Sequence, residues 1–518
     1  MISPEQATKL LENGTPPLEV FARLDIGAIQ MTPKINTTQK PLIETRFSGF
    51  GAATQGVLAF TIQEAETIRE TGENYVFVCD GTDLDSDSRW GESVIVAHVA
   101  KPARIHDHLL PNLAQYHQSV LIDNPSSPQF HFRKEHGYLE TMNGQTLSYG
   151  DRVTIDPVSG RIWDGLVSLS PAPNNSFLLP LMHSFNSLSE RPVVAFHAQH
   201  EADMIERKKL YRPLLRSVGN TASEEQGLPI CFESWPIGLY RSEYGVRSLL
   251  AANPSASLSS PSDLCVLFGG MLFPYSWGES LFRYHAGSEI SYRLLDLSGF
   301  DLQDADQPKL KTSIYEVQLE QTISGLRDAL LKSKNRDICP QTITVPAIQS
   351  VQEVVLFKRM FEKIRTQFMP PQKYNLLRFG VMVETKEALQ NIAGIALLCD
   401  QLCIGGNDLT AALTGLSRHQ FDHNDWMQER GYAGRSPFEV LVPEVINPLR
   451  EGIAAARHAN PKIKISFCGH QIAGHDPAST FSCLSLGVDT LVIPPTPEAV
   501  VRTQAVIVQN AARKALSL

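Results

Sequence analysis

Two carboxylates each follow an apolar run. Glu384 closes Gly380-Val381-Met382-Val383, and Asp408 follows Leu402-Cys403-Ile404-Gly405-Gly406-Asn407. Acids at neighbouring strand ends can hold a hard divalent cation such as Mg²⁺, which prefers oxygen and keeps its remaining positions for water and substrate. Arg241 follows the run Ile237 to Tyr240, Arg293 lies within Ile290 to Leu295, and Arg418 falls on the helix after Asp408. Their planar guanidinium groups match phosphate and carboxylate bidentately. Acids and arginines together describe a site for a small phosphorylated carboxylic acid. Cys468, after Ile463 to Phe467, reads either as a proton donor or as a buried thiol. A single Arg or Glu at a strand end is more often part of a structural ion pair, so it is their recurrence at successive ends that points to chemistry.

Such residues need a scaffold that gathers strand ends at one face. From residue 193 onward, apolar runs alternate with amphipathic segments of helical length, as in βα units around a parallel sheet. The runs are Val193 to Phe196, Ile237 to Tyr240, Ile290 to Leu295, Ile343 to Ile348, Phe379 to Val383, Leu402 to Ile404, Ile463 to Phe467 and Thr490 to Ile493. Eight of them fit an α/β chain ending in a (β/α)8 TIM barrel, whose chemistry sits at the C-terminal ends of its strands. One further run, Leu264 to Phe268, has no place in that count.

Before the barrel the texture is β-rich. Val57 to Phe60, Tyr75 to Val78 and Ser119 to Ile122 read as strands, and Asp151 to Asp156 with Ser159 to Trp163 reads as a hairpin. Ser168 to Asn175, with two prolines, is the best linker candidate. The expected organisation is a helical lead-in at 1–40, a small β/α domain at 41–167 and the barrel at 168–518.

Composition narrows the partners. The chain has 518 residues, 42% hydrophobic and 19% charged, with a formal net charge of -9. That charge disfavours nucleic acid and anionic membranes, which attract basic surfaces. No apolar run is long enough to cross a bilayer and no signal-peptide pattern is read at the start, so a cytoplasmic protein is expected. The 8 cysteines contain no Cys-x-x-Cys pair, which suggests reduced thiols rather than a disulfide framework or zinc site.

Five motifs resemble the phosphoenolpyruvate-utilising family, which includes pyruvate phosphate dikinase, phosphoenolpyruvate synthase and enzyme I of the bacterial sugar phosphotransferase system. They are Gly238-Leu239-Tyr240-Arg241-Ser242-Glu243, Arg293-Leu294-Leu295-Asp296, Gly380-Val381-Met382-Val383-Glu384-Thr385, Gly406-Asn407-Asp408-Leu409-Thr410 and Cys468-Gly469. The resemblance implies that Glu384 and Asp408 bind Mg²⁺ and that Arg241, Arg293, Asn407 and Arg418 hold the phosphate and carboxylate. It also implies that Cys468 moves the proton at the enolpyruvate carbon. More faintly, Gly49 to Gly56 and the Asp151 to Gly165 hairpin resemble the family's swivelling phosphohistidine domain. There His108, within His106-Asp107-His108, stands where the phosphoryl-carrying histidine is expected, although Lys101-Pro102-Ala103-Arg104 replaces the usual glycines and Thr-Ser pair. A solvent-exposed loop histidine, or a metal cluster of His106, His108 and His117, are the competing readings.

Other departures bear on function. No ATP-grasp domain is recognised, which implies a separate phosphoryl acceptor or an ATP-grasp partner protein. Lys311-Thr312-Ser313 stands where the family has a further phosphate-binding arginine. Relatives imply a homodimer. The expected function is Mg²⁺-dependent phosphoryl transfer between phosphoenolpyruvate or pyruvate and a histidine. The alternatives are a barrel-only enzyme acting on phosphoenolpyruvate, pyruvate or a related 2-oxo acid without phosphohistidine, and a non-catalytic metabolite-binding relative.

Overall fold

The protein is described by a computed structural model over residues 1–29, 35–44, 50–51, 53–79, 94–97, 119–122, 130–133, 136–156, 159–170, 176–188, 192–198, 235–243, 289–297, 307–332, 339–417, 423–433, 436–472, 476–494 and 497–518. It forms two compact units, one of residues 30–175 and one of residues 1–29 with most of the chain from 176 onward. The unassigned run Leu264 to Phe268 lies outside the described residues.

Residues 1–29 hold helices α1 (Pro4–Glu12) and α2 (Pro17–Phe21). Ser3 starts α1 with a capping box closed by Gln6, which satisfies two orphan N–H groups. The segment belongs to the barrel unit rather than standing apart as part of a lead-in of 1–40. Phe21 and Ile29 are fully buried. The last helix of the chain donates to this segment's carbonyls: Gln509 Nε2 reaches Leu24 at 2.7 Å and Arg502 reaches Ile29 at 3.0 Å.

In the second unit the strands are β1 (Ile43–Glu44), β2 (Phe50–Gly51), β3 (Thr54–Ala59), β4 (Tyr75–Cys79), β5 (Val94–Ala97), β6 (Ser119–Ile122), β7 (Phe130–Arg133), β8 (Tyr138–Thr141), β9 (Thr146–Ser148), β10 (Arg152–Asp156) and β11 (Arg161–Asp164), with helix α3 (Ile62–Glu70) after β3. Eight of these form a mixed sheet in the order β1-β11-β10-β3-β4-β5-β6-β2, and β7 to β9 form a separate antiparallel sheet. The expected hairpin is β10 against β11, with Ile155 opposite Ile162. Leu58, Val76, Val78, Phe130, Val153 and Ile155 meet in one core. At Gly56 a Cβ would lie 3.0 Å from the Asn74 carbonyl and 3.1 Å from Val76 Cγ2, so the close approach of β3 to β4 requires glycine.

From residue 176 the barrel unit continues with helix α4 (Leu178–Ser187), and its strands are β12 (Val193–Ala198), β13 (Ile237–Arg241), β14 (Ile290–Arg293), β15 (Gln341–Val345), β16 (Leu377–Val383), β17 (Gln401–Gly405), β18 (Lys464–Cys468) and β19 (Thr490–Ile493). They close in sequence order, and β19 pairs parallel with β12, Val193 beside Thr490. All eight expected runs are strands of this one barrel. Strands covered on both faces should be apolar throughout, and β15 is buried at every position. Ala195, Leu239, Met382, Cys403 and Val492 cluster as one core, with Cys468 packed against it.

Between the strands, helices follow from amphipathic spacing. They are α5 (Gln307–Lys332), α6 (Val351–Phe368), α7 (Lys386–Gln390), α8 (Ile392–Ala396), α9 (Gly406–Thr414), α10 (Asn424–Glu429), α11 (Pro443–Ala459), α12 (Pro477–Ser485) and α13 (Pro497–Ala515). In α6 the buried residues Val354, Phe357, Phe361 and Ile364 recur at helical spacing behind a Ser350–Glu353 capping box. In the β13 pairings Phe196 faces Ile237 while His197 faces Leu239, leaving Gly238 as an extra residue. A Cβ at Gly238 would lie 2.4 Å from Val492 Cγ2 and 2.8 Å from Ala195 Cβ, so this bulge admits no side chain.

Candidate functional site at the barrel mouth

Arg241 and Arg293 are the last residues of adjacent strands and stand in register. Arg293 is only 1% exposed. Its Nη2 is paired with Glu243, which lies two residues past the end of β13, and Asp296 Oδ2 is 3.8 Å away. Glu243 also accepts from the Asp296 amide at 3.2 Å. Burial alone would lower the guanidinium pKa, but Glu243, Asp296, Glu384 and Asp408 together raise it above its ordinary value. The Arg293 Nε has no hydrogen-bond partner.

Gln318, from α5, locks this corner. Its Oε1 accepts from the Leu295 amide at 2.8 Å, and its Nε2 donates to Ser242 Oγ at 3.0 Å. Tyr240 and Tyr292 stack on the same two strands with ring centroids 5.5 Å apart.

Two strands on from β14, Glu384 follows β16 and is 5% exposed. One oxygen, Oε1, accepts from the Ala347 amide at 2.6 Å, whereas Oε2 is buried without a partner. Burial raises its pKa most and the charge of Asp408 raises it next, against a lowering by Arg293, so the carboxyl is pushed up to about 7. Gly405 leaves the room it needs, since a Cβ there would fall 2.9 Å from Glu384 Cβ and 3.0 Å from Oε2. Asp408 sits in the first turn of α9, where the helix N-terminus favours a negative charge.

The loops after β17 and β18 approach closely. A Cβ on Gly406 would lie 2.6 Å from Phe467 Cζ, and one on Gly469 would lie 2.3 Å from Gln471 Oε1. Gln471 is fully buried and donates to Thr410 Oγ1 at 3.1 Å and the Pro437 carbonyl at 3.3 Å. The Asn407 side-chain oxygen accepts from the His470 amide at 3.2 Å. Asn407, expected to contact substrate, is thus also a tie between the two loops.

Cys468 is the last residue of β18, and burial pushes its thiol pKa up while Arg241 and Arg293 pull it down. The net rise keeps it a thiol at neutral pH, the form that can donate a proton.

His197, near the end of β12, was not anticipated from the sequence. It is 7% exposed, and burial together with Arg241, Arg293 and His470 lowers its pKa well below the ordinary value, so the imidazole is neutral at pH 7. Its signal was available: Ala195 is a core residue and His197 lies two positions on, on the same face of the strand.

Arg241, Arg293, Glu384, Asp408 and Cys468 therefore share one electrostatic environment. Arg418, His106, His108 and His117 lie outside the described residues. Among the described residues no group of three or more His, Cys, Asp or Glu is placed to hold a metal ion. The chemistry of Glu384 and Asp408 fits Mg²⁺, because a buried, unpartnered carboxylate oxygen beside a second acid can serve a hard cation.

Fold and site define a TIM barrel whose strand ends bring basic and acidic groups to one mouth. Residues 314–512 match the family described as PEP-utilising enzyme, PEP-binding domain, where PEP is phosphoenolpyruvate. The resemblance read from the five motifs is to the same family. The chain is 25% identical over 299 residues to the phosphoenolpyruvate-protein phosphotransferase of Chlamydia pneumoniae, covering 57% of this chain and 45% of that protein. It is 30% identical over 173 residues to the pyruvate, phosphate dikinase of Rickettsia bellii, covering 32% and 19%. The matches thus span less than half the length of these relatives. Among solved structures, an HpcH/HpaI aldolase/citrate lyase family protein from Burkholderia cenocepacia is similar with a TM-score of 0.30 and 13% identity, covering 65% of this chain and 98% of that one. No helix among the described residues is long and apolar enough to cross a membrane.

Proposed function

We propose that the barrel binds phosphoenolpyruvate or pyruvate on a Mg²⁺ held by Glu384 and Asp408, and that it exchanges a phosphoryl group with a histidine. The observation that carries this reading is the buried, unpartnered Oε2 of Glu384 beside Asp408, at a mouth that also holds Arg241, Arg293 and Cys468. Bound there, Mg²⁺ would supply charge stabilisation for the enolpyruvate oxygen and the moving phosphoryl group. Arg241, Arg293, Asn407 and Arg418 hold the phosphate and carboxylate and fix the substrate for in-line transfer.

In the forward direction the phosphorus–oxygen bond breaks, a phosphorus–nitrogen bond forms on His108, and the thiol of Cys468 gives its proton to the methylene carbon, leaving pyruvate. His108 would be carried by the unit of residues 30–175, acting as the swivelling domain. A separate protein would accept the phosphate or supply the nucleotide. Such an enzyme would work in the cytoplasm, as a homodimer through the barrel.

The test is incubation with phosphoenolpyruvate labelled in its phosphate, with and without Mg²⁺, in the parent and in His108→Ala. Acid-labile label that needs Mg²⁺ and vanishes in the variant supports transfer. Label-free protein that still binds oxalate, an enolpyruvate mimic, in a metal-dependent way would sink it. That outcome favours the second reading, an enzyme acting at carbon through Cys468 without phosphohistidine, to which the altered Lys101 to Arg104 stretch lends support.

A further inference from the structure

Ala347 follows β15 and adopts a φ of 51°. This left-handed conformation is unfavourable for a non-glycine residue, so something must hold it. The only other non-glycine residue with positive φ among the described residues is Ser517, beside the chain terminus. Strain maintained inside a site points to a use.

Three contacts hold the turn. The Ala347 N–H donates to Glu384 Oε1 at 2.6 Å. Its carbonyl accepts from Lys311 Nζ at 3.0 Å. The next carbonyl, of Ile348, accepts from Thr385 Oγ1 at 2.7 Å. Lys311 is itself fixed. Its ammonium is 3.3 Å from Glu353 Oε1 and lies 5.6 Å from the centre of the Phe357 ring. Glu353 is anchored in turn, because its other oxygen accepts from the amides of Gln349 at 2.7 Å and Ser350 at 3.2 Å.

We infer that Lys311 is a positioning residue for the Glu384 carboxylate: by gripping the Ala347 carbonyl it keeps the Ala347 N–H on Oε1 and leaves Oε2 to a metal ion. The inference rests on Glu384 being a metal ligand, as proposed above. Without the ammonium, the strained peptide can rotate to a negative φ and take its N–H away from the carboxylate. Lys311 occupies the stretch where the sequence lacks the expected arginine, yet its contacts give it this backbone role instead.

The experiment compares the parent, Lys311→Met, Glu353→Gln and the double variant Lys311→Met/Ala347→Gly. Mn²⁺ affinity is measured by electron paramagnetic resonance, and amide exchange at residue 347 is measured in metal-free protein, with thermal unfolding alongside. Lys311→Met is expected to weaken Mn²⁺ binding about tenfold or more, as losses of groups that orient metal ligands do, and to speed exchange of the 347 amide. Glu353→Gln, which keeps the helix cap, shifts both in the same direction by less. Glycine at 347 removes the penalty for positive φ, so the double variant recovers affinity relative to Lys311→Met, which a merely structural loss would not allow. Unchanged Mn²⁺ affinity and exchange in Lys311→Met overturn the inference while leaving the metal site intact. A parent protein that binds no Mn²⁺ overturns the metal site itself and the inference with it.

Discussion

Metal binding should release a proton from Glu384, in an amount fixed by the surroundings of that side chain. Burial and the neighbouring Asp408 charge lift the carboxyl from an ordinary 4.5 to about 7. A metal ion binds the ionised form, so each ion taken up displaces whatever proton the free protein carries there. The count is therefore larger at pH 6 than at pH 7 and falls further by pH 8. Calorimetric titration of Mn²⁺ at each pH, in buffers of different ionisation enthalpy, reads this count directly.

Stability must follow the same linkage. The folded, metal-free protein holds this proton more tightly than the unfolded chain does, so its stability falls as pH rises from about 4.5 to about 7 and stays lower above that. The full effect is on the order of 3 kcal/mol. Glu384→Gln should therefore stabilise metal-free protein at pH 8 by up to that amount, have little effect at pH 4.5, and abolish proton release. A proton count near zero at both pH 6 and pH 7 would refute this electrostatic account of the pair.

Other substitutions test separate parts of the mouth. Arg293→Met strands the buried Glu243 without its partner and should lower stability by about 3–5 kcal/mol in denaturant titration. Gly405→Ala pushes a methyl against Glu384 and should weaken Mn²⁺ binding about tenfold while costing only about 1–3 kcal/mol of stability. Gly238→Ala is expected to cost a similar 1–3 kcal/mol, roughly, by overpacking the barrel core against Val492 and Ala195, with Mn²⁺ affinity unchanged in the folded fraction. Cys468→Ala should slow exchange of pyruvate methyl protons into deuterated water, followed by proton NMR, by about 100-fold or more, while binding of oxalate with metal is retained.

The barrel was legible because parallel strands buried on both faces must be apolar along their length, and eight such runs supplied the eight strands. Strand limits were less so. The run Ile343 to Ile348 stops as a strand at Val345, since Pro346 has no N–H to offer the sheet and Ala347 turns to positive φ. Glu384 and Arg241 directly follow apolar runs, Arg293 lies inside one and Asp408 stands four residues past one, and this nearness to strand ends is what marks them in the sequence. What they bond to was not legible, because the parallel pairing of neighbouring strands brings Arg293 to Glu243 across 50 residues and Ala347 to Glu384 across 37. His197 escaped because the first run was ended at Phe196, although alternation from Ala195 carries the strand's inner face to it. Residues 1–29 were set apart with a lead-in because their ties to Gln509 and Arg502 are polar and leave no trace in hydrophobic spacing.

Crystals grown with Mn²⁺ and oxalate test most directly whether the carboxylate pair seats a metal ion that receives enolpyruvate. Anomalous scattering should locate an ion bonded to Glu384 and Asp408, with oxalate completing its coordination towards Arg241 and Arg293, and the ion should be lost in Glu384→Gln. An ion that binds elsewhere, or that stays in that variant, would contradict it.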